Sequence, residues 1–252
     1  MNKTVKKILI TALYPLLLVG FIATVWYIAS YVAGNEFILP TPKTTVNRFF
    51  EILSDGEFYL ALASTLGRSF LAFLISLVGG LILAVMSVIF PVLKNFLSPL
   101  VSVLRALPTM AVVLLLVIWT GATAAPIYVT IMVILPTLYS GLYDAIVGVD
   151  EQLVEACKVG GGGKKAIVTK IYLPLALPSA SRSISGALSL SIKLTVAAEV
   201  LALTAGSIGT MMQMSRIYFE TADLMALTVV TVIVSVALEK VLFLFMSMFY
   251  KR

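Results

Sequence analysis

Six long apolar runs constrain the fold of this chain more than any other feature of its sequence. They cover residues 8–33, 66–90, 101–120, 124–144, 183–205 and 223–248. A helix that crosses a bilayer needs about 20 predominantly apolar residues. Only 12% of the 252 residues are charged, whereas a soluble domain carries about a quarter. The sequence therefore predicts an all-α membrane protein of about six transmembrane helices, built as a single domain over residues 1–252.

The basic N-terminus ahead of the first apolar run is also typical of a secretory signal peptide. The apolar part of a signal peptide, however, spans only about 7–15 residues, and this run continues from Ile8 to Ala33. We therefore interpret it as the first membrane helix.

Lysine and arginine fall mostly on one side of the predicted spans. The side that holds the N-terminus carries Lys3, Lys6, Lys7, Lys94, Lys158, Lys164, Lys165, Lys170, Lys251 and Arg252. The loops on the other side hold only Lys43, Arg48 and Arg216. Because cytoplasmic loops are enriched in these residues, we expect both termini and the 145–180 loop to be cytoplasmic, in an inner or plasma membrane. The net charge of +6 then reports topology, and no nucleic-acid partner is predicted.

The inventory of reactive side chains argues against catalysis. There is no histidine, and the single cysteine is Cys157, so neither a disulfide within the chain nor a zinc site is expected. Asp144, Asp150, Glu151 and Glu155 cluster in sequence, as a membrane enzyme would require, but no partner base or metal pattern accompanies them. A channel would need a filter motif, and none is found. We predict no catalytic residues and no metal site.

The segment after the first span predicts an amphipathic surface helix. Val46, Phe49, Phe50 and Leu53 recur at helical spacing after the Pro40-Thr41-Pro42 turn. Such a helix could pack on its own protein or serve a docking partner, and the sequence leaves both alternatives open.

The loop at residues 145–180 predicts two short helices. Asp150 is a suitable N-cap, Glu151 favours the first helical turn, and the glycines from Gly160 should end the first helix. The second helix, from about Lys164 to Tyr172, is expected to stop at Pro174. The glycine run does not predict a phosphate-binding loop, because Lys165 occupies the position that needs Ser or Thr.

This loop resembles the EAA loop of ABC importer permeases. The family pattern is Glu-Ala-Ala, three residues, Gly, nine residues, then Ile-x-Leu-Pro. The chain matches it with Glu155, Ala156, Cys157, Gly161, Ile171, Leu173 and Pro174, and only Cys157 departs, in place of the second alanine. The resemblance implies that these residues form the coupling helix region that docks on an ATPase subunit. We refer to residues 145–180 as the EAA loop.

Three further segments are similar to the branch of that family that imports nitrate, sulfonates, taurine and some pyrimidine vitamin precursors. They are 64–68 (STLGR), 104–108 (LRALP) and 197–201 (AAEVL). The resemblance implies a type I ABC importer-like bundle with three kinds of partner: ABC ATPase subunits that bind the ATP, an extracytoplasmic solute-binding protein, and a second permease chain in a homodimer. No cofactor is expected on this chain. The implied solute is small and anionic; a pyrimidine or thiamine precursor is the alternative.

Lys193 and Glu199 are the ionisable residues deep in the fifth span. Such residues are costly within a bilayer and are candidate functional sites. They are six positions apart and therefore face different sides of a helix. Both are candidates for the substrate path, with Lys193 offering a positive charge to an anionic solute. The alternative is that Lys193 pairs with an acid on a neighbouring helix, such as Glu199 of a second copy.

Small residues also recur in this span, including Gly186 and Ala197. Small residues let membrane helices approach closely. The approaching helix could belong to a second copy of the chain or to the same protomer.

Overall fold

A computed structural model describes residues 3–250, with side chains at residues 13, 14 and 17–248. All its regular elements are helical within that range. The helices are α1 (Lys3–Ala33), α2 (Pro42–Leu53), α3 (Gly56–Ile89), α4 (Pro91–Ala106), α5 (Thr109–Thr120), α6 (Ala125–Val147), α7 (Glu151–Val159), α8 (Lys164–Ile167), a π-helical turn (Val168–Tyr172), α9 (Leu173–Ala202), α10 (Ile208–Ile217) and α11 (Thr221–Tyr250). The predicted all-α class is confirmed.

Among the described residues, four helical stretches are long and apolar enough to cross a membrane, and a bent pair adds a fifth. The four are α3, α6, the continuous stretch Lys164–Ala202, and Thr221–Met248 of α11. The apolar part of α1 within the same range, Leu17–Ala33, is shorter, so the count of six stays a prediction. The terminal basic residues used for orientation lie outside the described side chains: Lys3, Lys6, Lys7, Lys251 and Arg252.

The third predicted span is where the structure departs most from the sequence. Residues 91–100, predicted as a loop, are helical, because Pro91 occupies the first position of α4, where its fixed φ suits a helix. The span itself is not one straight helix: α4 and α5 meet at 94°. Leu107, which precedes Pro108, is extended with ψ 133°, as steric conflict with the proline ring demands. A sharp bend replaces the single helix.

Residues cluster into two compact units. The first comprises Met1–Phe58 and Met211–Val230. In it, the Trp26 indole donates to the Pro40 carbonyl at 3.0 Å and so fastens α1 to the chain entering α2. Arg48 of α2 forms a two-pronged ion pair with Asp223, and this hydrogen bonding raises the pKa of the guanidinium above its ordinary value. The predicted helix with exposed Val46 and Phe50 is confirmed as α2.

The second unit comprises Tyr59–Thr210 and Thr231–Arg252. Its core lies where α6 packs along α9, with α3 and α4 alongside. Ile134, Leu138 and Leu142 of α6 meet Ala180 and Ile184 of α9, all nearly inaccessible to solvent. The small residues on α9 allow the two backbones to come close, as expected for helices that associate in a bilayer.

The second helix of the EAA loop does not stop at Pro174, contrary to the sequence prediction. The helical path continues from Lys164 through the π-helical turn into α9 without a break. A proline inside an α-helix lacks its N–H and clashes with the carbonyl four residues earlier. The wider turn at Val168–Tyr172 ends two residues before Pro174 and accommodates that missing bond.

Candidate functional site

The first helix of the EAA loop is confirmed and has the predicted N-cap. The Asp150 carboxylate accepts a hydrogen bond from the Gln152 N–H at 2.9 Å. Val154 is buried, and Glu151 and Lys158 lie on the same side of α7, facing a cavity. On the opposite side Leu153, Ala156 and Val159 are exposed, with Val159 at 90%. We call Leu153, Ala156 and Val159 the docking face of α7.

The glycines after α7 form a Schellman motif. Gly161 has φ +79° and donates to the Lys158 carbonyl at 3.0 Å, while Gly162 donates to the Cys157 carbonyl at 2.8 Å. A side chain at Gly161 would incur roughly 1–2 kcal/mol of left-handed strain. Gly162 is outside the family pattern, yet a Cβ there would lie 2.4 Å from Cys157 Sγ. The run therefore ends α7 as the sequence predicts, and its hydrogen bonds define the turn.

The remaining residues of the motif follow the same chain path. Glu155, Ala156, Gly161 and Pro174 are exposed, whereas Cys157, Ile171 and Leu173 are half-buried. The residues that the sequence grouped by spacing thus divide into an exposed set and a half-buried set.

Glu199 lies in a buried polar network at the other end of α9. Its side chain is fully buried and forms an ion pair with Arg68 at 2.7 Å, the Arg68 side chain being 12% exposed. The hydroxyl of Thr65 donates to Glu199 Oε2 at 2.9 Å, and the Gly209 N–H donates at 3.3 Å. Three segments, α3, α9 and the start of α10, therefore meet at one carboxylate.

The sequence indicated only part of this network, the ionisable Glu199 within the fifth span. In the sequence Arg68 stands out only as part of the 64–68 segment, and the structure shows that its guanidinium turns inward to Glu199. Thr65 and Gly209 were not singled out. A Cβ on Gly209 would lie 2.3 Å from Glu199 Cβ, so only glycine permits this close approach. No short-range sequence signal links residues 131 or more positions apart.

Lys193 lies on the opposite side of α9, and the structure does not bring it to Glu199. Its side chain is exposed and forms no ion pair among the described residues. It continues a line of accessible or half-buried residues at helical spacing: Arg182, Gly186, Leu190, Lys193 and Ala197. No atom would lie within 4 Å of a Cβ at Gly186. We call this line the open stripe of α9.

No group of three metal-ligating side chains comes together within the described part of the chain.

The chain is similar to several curated transport permeases. It is 27% identical over 214 residues to a putative aliphatic sulfonates transport permease of Bacillus subtilis (strain 168), covering 84% of this chain and 77% of that protein. It is 25% identical to the taurine transport system permease of Escherichia coli (strain K12), covering 86% and 81%. It is also 24% identical to a formylaminopyrimidine transport permease of Halalkalibacterium halodurans, covering 67% of each.

Solved structures share the fold. A bacterial ABC transporter involved in import of the acidic polysaccharide alginate matches with a TM-score of 0.65 at 18% identity, covering 99% of both chains. An amino acid ABC transporter matches with a TM-score of 0.63 at 19% identity, covering 78% of this chain and 94% of that one. At these identities the likeness establishes the fold alone.

The family comparison covers the EAA loop and all of α9. The model of the binding-protein-dependent transport system inner membrane component matches residues 76–252, well over half of the chain. The chain therefore belongs to this family, the permease subunits of ABC importers, which are not themselves enzymes.

Proposed function

We propose that this chain is one half of the translocation path of an ATP-driven importer for a small anionic solute of the sulfonate or taurine type. Residues 1–252 act as a single permease domain with both termini in the cytoplasm. The chain binds no cofactor itself, and separate ATPase subunits bind and hydrolyse ATP. An extracytoplasmic binding protein delivers the solute, and a second copy of the chain completes the path.

The exposed docking face of α7 carries the proposal for the ATPase partner. Leu153 is 47% exposed and Val159 is 90% exposed, while the far side of the same short helix is anchored by buried Val154. Exposed apolar side chains on a fixed helix mark a surface for another protein. In this proposal α7 enters a cleft on the ATPase subunit, with Glu155 and Ala156 at the contact and Cys157, Gly161, Ile171, Leu173 and Pro174 holding the helix in position.

Co-purification of the permease with its ATPase subunit in detergent tests this assignment. We expect Ala156→Arg and Glu155→Arg each to abolish a stable complex, because both place a bulky cation on the contact. Gly161→Trp should weaken the complex indirectly, by straining the turn at φ +79°.

The matched control is Glu57→Arg, the same charge change at an exposed residue in the first turn of α3. It should leave the complex intact. Retention of the ATPase by Ala156→Arg and Glu155→Arg, in permease that elutes as a folded species, would refute the assignment of α7.

The open stripe of α9 supports the proposals for the path and for the homodimer. It combines small residues, which allow another helix to approach, with two cations, Arg182 near one end of α9 and Lys193 within the span. Lys193 lies within an apolar span and has no carboxylate partner among the described residues, and such a charge fits a path for an anion. In this proposal two stripes face one another across a two-fold axis, and Lys193 attracts the solute. Glu199, on the packed side of α9, fixes this helix to α3.

A pyrimidine precursor is the alternative solute, because a formylaminopyrimidine permease is also among the relatives. Uptake by the reconstituted importer, measured separately with labelled taurine and with labelled formylaminopyrimidine, separates the two. Uptake of taurine alone supports an anionic solute, and uptake of the pyrimidine alone supports the alternative.

A further inference from the structure

A cavity of about 400 Å³ lies behind α7, on the side away from the docking face. Its polar lining comes from four helices and the π-helical turn: Ser87, Lys94, Tyr143, Glu151, Lys158 and Tyr172. Two of these residues are lysines from separate elements, α4 and α7, and only one is an acid. The cavity therefore has an excess of positive charge and several hydroxyl groups.

The lysines are not neutralised by carboxylates. No ion pair among the described residues involves Lys94, Lys158 or Lys164. The Lys94 ammonium instead lies 5.1 Å from the centre of the Tyr143 ring, which holds it at the wall. An adjoining cavity of about 190 Å³ shares Lys158 and Tyr172 and adds Lys164. Three lysines thus line two adjoining cavities, and Glu151 is the one acid in that lining. Asp144, outside the lining, also interacts electrostatically with Lys94.

The surroundings of the cavity are apolar. It lies at the ends of α3 and α6, where two apolar membrane-crossing helices finish. Phe90, Val92 and Phe96, beside Lys94 in sequence, are 50%, 80% and 70% exposed. A basic pocket next to exposed apolar side chains at the end of a span has the character of a lipid headgroup site.

We propose that this cavity binds a phosphate-bearing anion through Lys94 and Lys158, with Lys164 contributing from the adjoining cavity. The hydroxyls of Ser87, Tyr143 and Tyr172 can donate to the phosphate oxygens. The phosphate belongs either to an anionic phospholipid headgroup or to a soluble phosphate compound. Because α7 forms one wall, a bound anion stabilises this helix on its cavity side. The site is separate from the proposed ATPase contact.

Native mass spectrometry of the full-length permease in detergent tests the lipid source, with phosphatidylglycerol compared against phosphatidylcholine. Calorimetric titration with inorganic phosphate tests the soluble source. We expect Lys94→Gln and Lys158→Gln each to weaken binding about fivefold, because one lysine near an anionic surface contributes about that factor. Lys170→Gln, an exposed lysine of the π-helical turn that does not line either cavity, should leave binding unchanged.

Selective, lysine-dependent retention of phosphatidylglycerol assigns the site to a lipid. Lysine-dependent binding of inorganic phosphate assigns it to a soluble anion. The proposal is overturned by the absence of both, by binding that survives the Lys94→Gln/Lys158→Gln double variant, or by an equal loss in Lys170→Gln. None of these readouts involves the ATPase, so they stand apart from the test of the docking face.

Discussion

The charged residues on the two sides of α9 differ in burial and in whether they have a partner of opposite charge. On the packed side Glu199 is fully buried and joined to Arg68, Thr65 and the Gly209 backbone. On the open stripe, six residues away, Lys193 is exposed and has no carboxylate partner within the described residues. The same helix thus carries Glu199, which is paired within the protomer, and Lys193, which is accessible to a group outside the described residues.

This difference separates a structural charge from a candidate functional one. A buried carboxylate with an arginine partner is fully accounted for by the packing of α3, α9 and α10. An unpaired ammonium on a helix of a membrane protein requires a second chain, water or a solute. Lys193 is therefore the residue to examine for transport, and Glu199 the residue to examine for stability.

The largest loss of stability is expected from Arg68→Met, which removes the ion pair with Glu199 on the packed side of α9. Removing one partner of a buried ion pair leaves an uncompensated charge and typically costs about 3–5 kcal/mol. We expect a marked loss of folded permease after detergent extraction, measured by size-exclusion chromatography and thermal unfolding.

The Arg68→Met/Glu199→Gln double variant is the control for this prediction, because it removes both charges together. It should recover most of the lost stability. If Arg68→Met alone unfolds no more readily than the native chain, the ion pair does not hold the packed side together.

A smaller loss is expected from Gly209→Ala. The added Cβ would lie 2.3 Å from Glu199 Cβ and 2.6 Å from the Val200 nitrogen, and forced overpacking typically costs about 1–3 kcal/mol. The midpoint of thermal unfolding should fall. An unchanged midpoint would mean that the chain at Gly209 is free to move away from Glu199.

The same substitution on the open stripe, Gly186→Ala, should have the opposite sign. Nothing lies within 4 Å of the added methyl group, and alanine is favoured over glycine in a helix by up to about 1 kcal/mol. Monomer stability should rise slightly. If two stripes meet in a homodimer, cross-linking should at the same time report fewer dimers; an unaltered dimer fraction would argue against this interface.

Lys193→Met should change stability least, by no more than about 0.5 kcal/mol, since exposed substitutions rarely do more. Uptake of an anionic solute by the reconstituted importer should nevertheless be lost, and the ATPase subunit should still co-purify. Lys193→Arg, which keeps the charge, is the matched control and should retain uptake. Full uptake by Lys193→Met would remove Lys193 from the proposed path.

Local sequence signals predicted much of the fold. The caps at Asp150 and Gly161 depend on neighbouring residues, so the bounds of α7 followed from the sequence. The effect of the prolines on the helices was predicted less well. Pro174 indicated a stop, but a π-helical turn accommodates it. The span predicted over 101–120 is bent by 94° where α4 meets α5, next to Pro108. How a chain accommodates a proline depends on the helices packed around it.

The sequence by itself determined that the chain is helical, belongs in a membrane and carries an EAA loop, because hydropathy and motif spacing are properties of consecutive residues. Only the tertiary structure decided that Arg68 turns to Glu199, that Lys193 is exposed, and that lysines from three elements line two adjoining cavities. Those pairings depend on the rotation and relative height of packed helices. Residues more than a hundred positions apart meet or miss one another through these two quantities, which no local pattern specifies.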